Sequence, residues 1–293
     1  MDRRIRAITA DAAIQITAVE TTGMVERARN IHKTLPLATA ALGRTLTITS
    51  IMGSQLKVDD GSVTVQVRGD GPLGTIVCVS DSEGYARGYL QNPAVDLPLR
   101  ADGKLNVGAG VGYGQLMVIK DIGLKEPVSG MVNLVNGEIA EDVTRYFAES
   151  EQIPSACALG VLVNTDQSVR QAGGYLVQLM PGACDTDIDQ LERNIQKAGA
   201  MTTMLDHGMT LEEIVGAVLE GFTVQFLDEA EIGYRCNCSE SKVTRALISL
   251  GQQELCDMAD EEKPAEITCQ FCDKVYSFSP EELRKLAVNA KKK

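Results

Sequence analysis

Two close pairs of cysteines stand near the C-terminal end of this chain. Cys236 and Cys238 enclose one residue, thirty residues intervene, and Cys269 and Cys272 enclose two in TCQFCDKVYSF. Thiolate is the nucleophilic and metal-binding form of cysteine, and two such pairs supply the tetrahedral four-sulfur shell of a structural zinc site. The spacing therefore assigns Cys236, Cys238, Cys269 and Cys272 to one zinc ion per chain in the reduced state. Other ligands are scarce. The chain has two histidines, His32 and His207, and neither stands at finger spacing from the cysteines. Cys256 lies between the pairs without a near partner and reads as a bystander just beyond a helix. Cys78, Cys157 and Cys184 are scattered, and Cys78 sits in an apolar run that argues for burial.

A shell closed by four thiolates keeps no open coordination position, which argues against metal-assisted hydrolysis. No nucleophile, base and orienter stand in recognisable spacing elsewhere, so the expectation is a protein that is not an enzyme. The same thiolates permit a second state. Each has a partner within reach, so oxidation after metal loss would give Cys236–Cys238 and Cys269–Cys272 disulfides, the first strained and readily reversed. Structural zinc contributes roughly 10–16 kcal/mol in small finger peptides, against roughly 5–15 kcal/mol for the stability of a whole domain. Losing it should unfold a small module.

The elements that must hold these residues can be read from periodicity. Ile267-Thr268 and Val275–Phe278 are strand-like and flank the second pair, which places it as a knuckle on a hairpin. A helical stripe of Val243, Ala246, Leu247 and Leu250 lies between the pairs, and Ser279 with Pro280 opens a terminal helix. Upstream, Ser62–Arg68 alternates, and Thr75–Val79 and Gln115–Lys120 read as strands. Met24–Lys33, Pro36–Ile51 and Asp142–Glu149 read as helices. This is an α+β pattern around an antiparallel-rich sheet. Glycine-rich RGDGPLG (Arg68–Gly74) and GAGVGYG (Gly108–Gly114) lack the strand-then-helix context of a phosphate loop, and read as tight turns.

Charge divides the 293 residues into three segments. Residues 184–233 carry 11 acids and 2 bases, residues 234–293 carry 10 of each, and residues 1–183 carry 19 and 16. The expected organisation is an α+β core domain (1–183), a helical linker (184–233) and a small zinc-binding domain (234–293). In the acidic segment Leu211, Ile214, Val215, Val218, Leu219 and Phe222 form an apolar stripe behind a Thr210/Glu213 capping box. Ile188, Leu191 and Ile195 lead into Met201, Met204 and Met209, flexible side chains suited to a surface that repacks. The plainer reading is a helix pair packed on the core. A net charge of -12 opposes a nucleic-acid partner. No run is long enough for a signal peptide or a membrane span, so a soluble cytoplasmic protein is expected.

With these residues in view, the chain resembles the redox-regulated heat-shock chaperone family of thirty-three kilodaltons, whose hallmark is Cys-x-Cys followed after about thirty residues by Cys-x-x-Cys. The likeness extends through VRGDGPLG, ARGYLQNP, KDIGLKEPVSG, GEIAEDVTRYFAESEQIPSACALGV and GGYLVQLMPGA. It implies an ATP-independent holdase of the oxidative stress response. In such proteins the reduced, zinc-bound form is inactive. Oxidation expels zinc, forms two disulfides, unfolds switch and linker, and favours a homodimer that holds unfolding client proteins. Two rivals remain open on the residues alone: a zinc-ribbon nucleic-acid binder using Lys291, Lys292 and Lys293, and a thiol-disulfide oxidoreductase.

Overall fold

The computed structural model describes residues 1–290; the three terminal lysines lie outside the described residues. In chain order the elements are β1 (Arg3–Thr9), β2 (Ile14–Glu20), α1 (Thr22–His32), α2 (Pro36–Ser54), β3 (Ser62–Gly69), β4 (Thr75–Asp81), β5 (Ala86–Leu90), α3 (Val107–Val111), β6 (Gly114–Asp121) and β7 (Val128–Asn133). Then follow α4 (Ala140–Tyr146), a π-helical turn over Phe147–Glu151, β8 (Ser155–Val163), β9 (Val169–Leu179), α5 (Asp185–Ala198), α6 (Met201–Asp206), α7 (Leu211–Val218) and β10 (Val224–Glu231). The C-terminal part holds α8 (Glu240–Leu250), α9 (Gln252–Asp260), β11 (Ala265–Thr268), β12 (Val275–Phe278) and α10 (Pro280–Ala290). The chain divides into two compact units, Met1–Arg235 and a second that begins at Cys236.

The first unit is built from two antiparallel five-stranded sheets, ordered β10-β1-β2-β9-β8 and β5-β4-β3-β6-β7. Helix α2 packs against strands of both, and nearly every side chain along it is buried. Its buried hydroxyls need partners, and Thr45, Thr47 and Thr49 donate to the carbonyls of Ala41, Gly43 and Thr45 one turn back. Strands β3 and β4 alternate buried and half-buried residues, with Val63, Val65, Val67, Ile76 and Cys78 turned into the α2 core.

The stretch 184–233 belongs to the first unit. Its apolar stripe is buried as the spacing predicts: Leu211, Ile214, Val215, Val218 and Leu219 pack with Ile5, Ile14 and Ile16 of the first sheet. The stretch is not helical throughout. Val224–Glu231 is an edge strand, β10, paired antiparallel with β1 from Arg3↔Glu231 to Thr9↔Val224. Its acidic residues suit that place, because an edge strand exposes side chains that a central strand would bury. Tyr234 and Arg235, expected in the last segment, also belong to the first unit.

Two local expectations are corrected. GAGVGYG is more than a tight turn, because Val107–Val111 form the short helix α3. Gly112 follows at φ 77°, and a Cβ there would stand 2.2 Å from Asp70 Oδ1, so the position requires glycine. Cys256 lies inside helix α9 rather than beyond a helix, since Gly251 at φ 96° ends α8 and starts a new one. Among the described residues no helix is long and apolar enough to cross a membrane.

Candidate metal centre

Cys269 and Cys272 sit on the connection between β11 and β12, whose register runs from Ala265↔Phe278 to Thr268↔Val275. The knuckle closes by backbone hydrogen bonds: Cys272 N–H and Asp273 N–H donate to the Cys269 carbonyl, and Cys269 N–H donates to the Lys274 carbonyl. Asp273 takes φ 57°, a left-handed conformation that aspartate tolerates. Cys236 and Cys238 lie on the extended segment before α8, whose N-cap Ser239 accepts from Lys242 N–H. The terminal helix α10 starts as expected: Ser279 Oγ accepts from Glu282 N–H while the Glu282 carboxylate accepts from Ser279 N–H.

The four sulfurs lie within 4.8 Å of one another. Cys236 Sγ is 3.8 Å from Cys269 Sγ, and Cys238 Sγ is 3.4 Å from Cys272 Sγ, so each sulfur of one pair meets one of the other. A tetrahedron of Zn–S bonds about 2.3 Å long has edges of about 3.8 Å, and the donor set is the soft four-thiolate type that zinc accepts. The four cysteines fit a single metal ion. Cys256 stands outside this group and packs on the small core of the second unit.

Hydrogen bonds to sulfur complete the centre. The Cys238 N–H donates to the Cys236 thiol and the Lys274 N–H to the Cys272 thiol. Tyr276, on β12, donates its hydroxyl to Cys238 Sγ at 3.1 Å. Burial pushes Cys236 up to about 12 and raises Cys272 as well. Burial also acts upward on Cys238, but the Tyr276 hydroxyl and the neighbouring thiols outweigh it and bring that thiol down to about 7. Tyr276 is the residue beside the cluster that cysteine spacing missed. Alternation along Val275-Tyr276-Ser277-Phe278 signals only that it points inward.

The core around the centre is slight. Leu247, Leu255, Ala259, Tyr276, Phe278, Leu283 and Ala287 are its buried side chains. A unit of this size is marginal without a cross-link. Elsewhere, a cleft of about 590 Å³ beside Asp70, Gly112, Tyr113 and Asn136 is lined by neither histidine nor cysteine, and the Asp70 carboxylate is occupied by the Tyr113 N–H at 2.7 Å.

The sequence model of the family described as Hsp33 protein matches residues 2–279, nearly the whole chain. The chain belongs to the Hsp33 family. The 33 kDa chaperonin of Clostridioides difficile is 48% identical over 283 residues, covering 96% of this chain and 97% of that one. That of Symbiobacterium thermophilum is 45% identical over 282 residues, covering 96% of each. The crystal structure of the Hsp33 homologue from Thermotoga maritima superposes with a TM-score of 0.91 at 36% identity, covering 99% of both chains. Hsp33 membership agrees with the α+β architecture, and the four-cysteine cluster lies within the family match.

Proposed function

We propose that the chain is a redox-regulated, ATP-independent chaperone that holds unfolding proteins when oxidised and is inactive when reduced. One observation carries the reading: four thiols gathered within 4.8 Å in a unit whose own core is too small to hold it. Cys236, Cys238, Cys269 and Cys272 would hold one zinc ion, which when bound supplies the cross-link that the small core lacks.

A peroxide oxidant removes two electrons from each thiol pair. One sulfur–sulfur bond forms per pair, Cys236–Cys238 and Cys269–Cys272, and each peroxide is reduced to two waters. The oxidised pairs hold no thiolate to ligate a metal, and the unit from Cys236 onward loses its cross-link. The proposed domain plan assigns 1–183 to a core, 184–233 to a linker whose apolar stripe docks while the fold is intact, and 234–293 to the switch, whose first two residues, Tyr234 and Arg235, pack with the first unit. Release of the linker uncovers both its stripe and the first sheet beneath it. Such a patch binds unfolded chains or a second protomer. The relatives' name, chaperonin, supports this reading over an enzymatic one, and the acidic charge of -12 opposes a nucleic-acid partner. A cytoplasmic location fits the reduced thiols.

The test measures bound zinc and suppression of client aggregation on the same sample before and after peroxide. One zinc per chain with no suppression before, and metal loss with suppression after, is expected. Suppression that is independent of oxidation would overturn the reading.

A further inference from the structure

Between β10 and Cys236 the chain crosses from one sheet to the other through the strap Ile232-Gly233-Tyr234-Arg235. The strap is tied down before it reaches the cysteines. Ile232 is buried in the α2 core. Ala86 N–H donates to the Gly233 carbonyl and Arg235 N–H to the Ala86 carbonyl, both at 3.0 Å, so the strap lies parallel beside β5. The Tyr234 hydroxyl donates to the Gly88 carbonyl at 3.1 Å. Arg235 then closes on the turn between β4 and β5: its guanidinium meets Asp81 Oδ2 at 2.7 Å and Glu83 Oε2 at 2.8 Å, and lies 3.8 Å over the Tyr85 ring.

The turn that receives it is built from the core. Asp81 Oδ1 accepts from the N–H groups of Glu83 and Tyr85, leaving Oδ2 for Arg235. Ser50 of α2 donates to the Gly84 carbonyl at 2.6 Å, and Gly84 takes φ 89°. No partner of Arg235 among these belongs to the cysteine unit, although the residue after it is Cys236.

We infer that Arg235 is a clamp on the strap: held by Asp81, Glu83 and Tyr85, it keeps the strap and the segment 185–231 docked within the first unit and sets how readily oxidation at Cys236 releases them. The inference rests on the linker-release reading above and names the joint through which that release must pass. Unfolding of the cysteine unit removes the fixed point at Cys236 but leaves every bond of the clamp in place. Fraying therefore has to run backwards through Arg235 before β10 can leave β1. The guanidinium is partly exposed, so salt weakens its ion pairs while sparing the buried stripe.

The test follows hydrogen exchange of residues 224–231 in the full-length zinc-loaded protein, before and after peroxide, for wild type, Arg235→Ala, Arg235→Lys and Glu83→Lys. Arg235→Ala and Glu83→Lys are expected to exchange at least ten-fold faster than wild type after oxidation, with zinc retention in the reduced state unchanged. Arg235→Lys, which keeps the charge but loses the planar fork, falls between. Raising salt from about 0.05 to about 0.5 M should speed release of the wild type and not of Arg235→Ala, a response that a merely structural role would not give. Should Arg235→Ala fold poorly, the exposed Glu83→Lys decides alone. Wild-type exchange in both variants would overturn the clamp. Exchange is read without any client, so an oxidised wild type that fails to suppress aggregation sinks the chaperone reading and leaves this comparison standing.

Discussion

The Tyr276 hydroxyl donates to Cys238 Sγ at 3.1 Å, tying the hairpin strand β12 to the first cysteine pair across 38 positions of sequence. A hydrogen bond of this kind orients a ligand sulfur and stabilises its thiolate form. Removing such a partner typically costs about 10–100-fold in metal affinity. Tyr276→Phe keeps the buried ring and should weaken zinc retention by roughly 10-fold, read as zinc lost to a competing chelator. Unchanged retention would show that the bond has no part in ligation.

Cys269→Ser should abolish tight metal binding, because it removes one of the four sulfurs and leaves the backbone of the knuckle in place. Cys256→Ser, outside the group of four, should leave binding nearly intact. Metal analysis of the purified variants separates the two, and equal losses would make Cys256 a ligand.

Oxidation is expected to join near neighbours, Cys236 with Cys238 and Cys269 with Cys272. The folded cluster instead places Cys236 beside Cys269 and Cys238 beside Cys272. All four sulfurs nevertheless lie within 4.8 Å of one another, so neighbour pairing is open to the cluster as well, and the short loops within each pair close most readily. Peptide mapping without reductant decides: a dominant bridge between the two pairs would contradict near-neighbour pairing.

Val218 is fully buried between α7 and the first sheet, and Asn194 of α5 donates to the carbonyls of Val218 and Glu220 at 3.1 and 2.8 Å. Val218→Asp places an unpaired charge there, at a cost of several kcal/mol, on the order of 3–5. It should release the segment and give holding activity in the reduced, zinc-bound protein. Asn194→Ala strands two carbonyls for about 1–3 kcal/mol and should act more weakly. Hydrogen exchange over 185–219 reports both. Reduced Val218→Asp that exchanges fast yet holds no client would end the view that linker release suffices for activity.

Arg3 makes paired hydrogen bonds to Glu212 at 2.7 and 2.8 Å and holds that carboxyl at about 2, below its ordinary 4.5. A depressed folded value means that the stabilisation is fully present above 4.5 and is lost as pH falls through about 2. Glu212 is 43% exposed, so solvent screening limits the pair to about 0.2–1 kcal/mol. Circular dichroism between those two values should show α7 loosening towards the acid end, and Glu212→Gln should remove that part of the pH dependence while lowering stability at neutral pH by the pair's about 0.2–1 kcal/mol.

Sequence by itself determined which four thiols gather and much of the local structure. The four-cysteine set follows from spacing alone, because Cys-x-Cys and Cys-x-x-Cys bring thiols together within a few residues of backbone. The hairpin around Cys269, the Ser279 cap, and the stripe from Leu211 to Val218 were legible for the same reason: each is a short-range pattern of period two or 3.6, or a cap within one turn. Tertiary structure alone decided the rest. Helix α2 is buried nearly all round, so it has no polar face from which its place beside two sheets could be read. Strand β10 reaches its partner β1 from the far end of the unit, and Arg3 meets Glu212 across 209 positions. Tyr276 finds Cys238, and Arg235 finds Asp81 and Glu83, across similarly unmarked gaps. Periodicity reports which face of an element is apolar, whereas the identity of what covers that face depends on how the whole chain closes, and no local spacing encodes it.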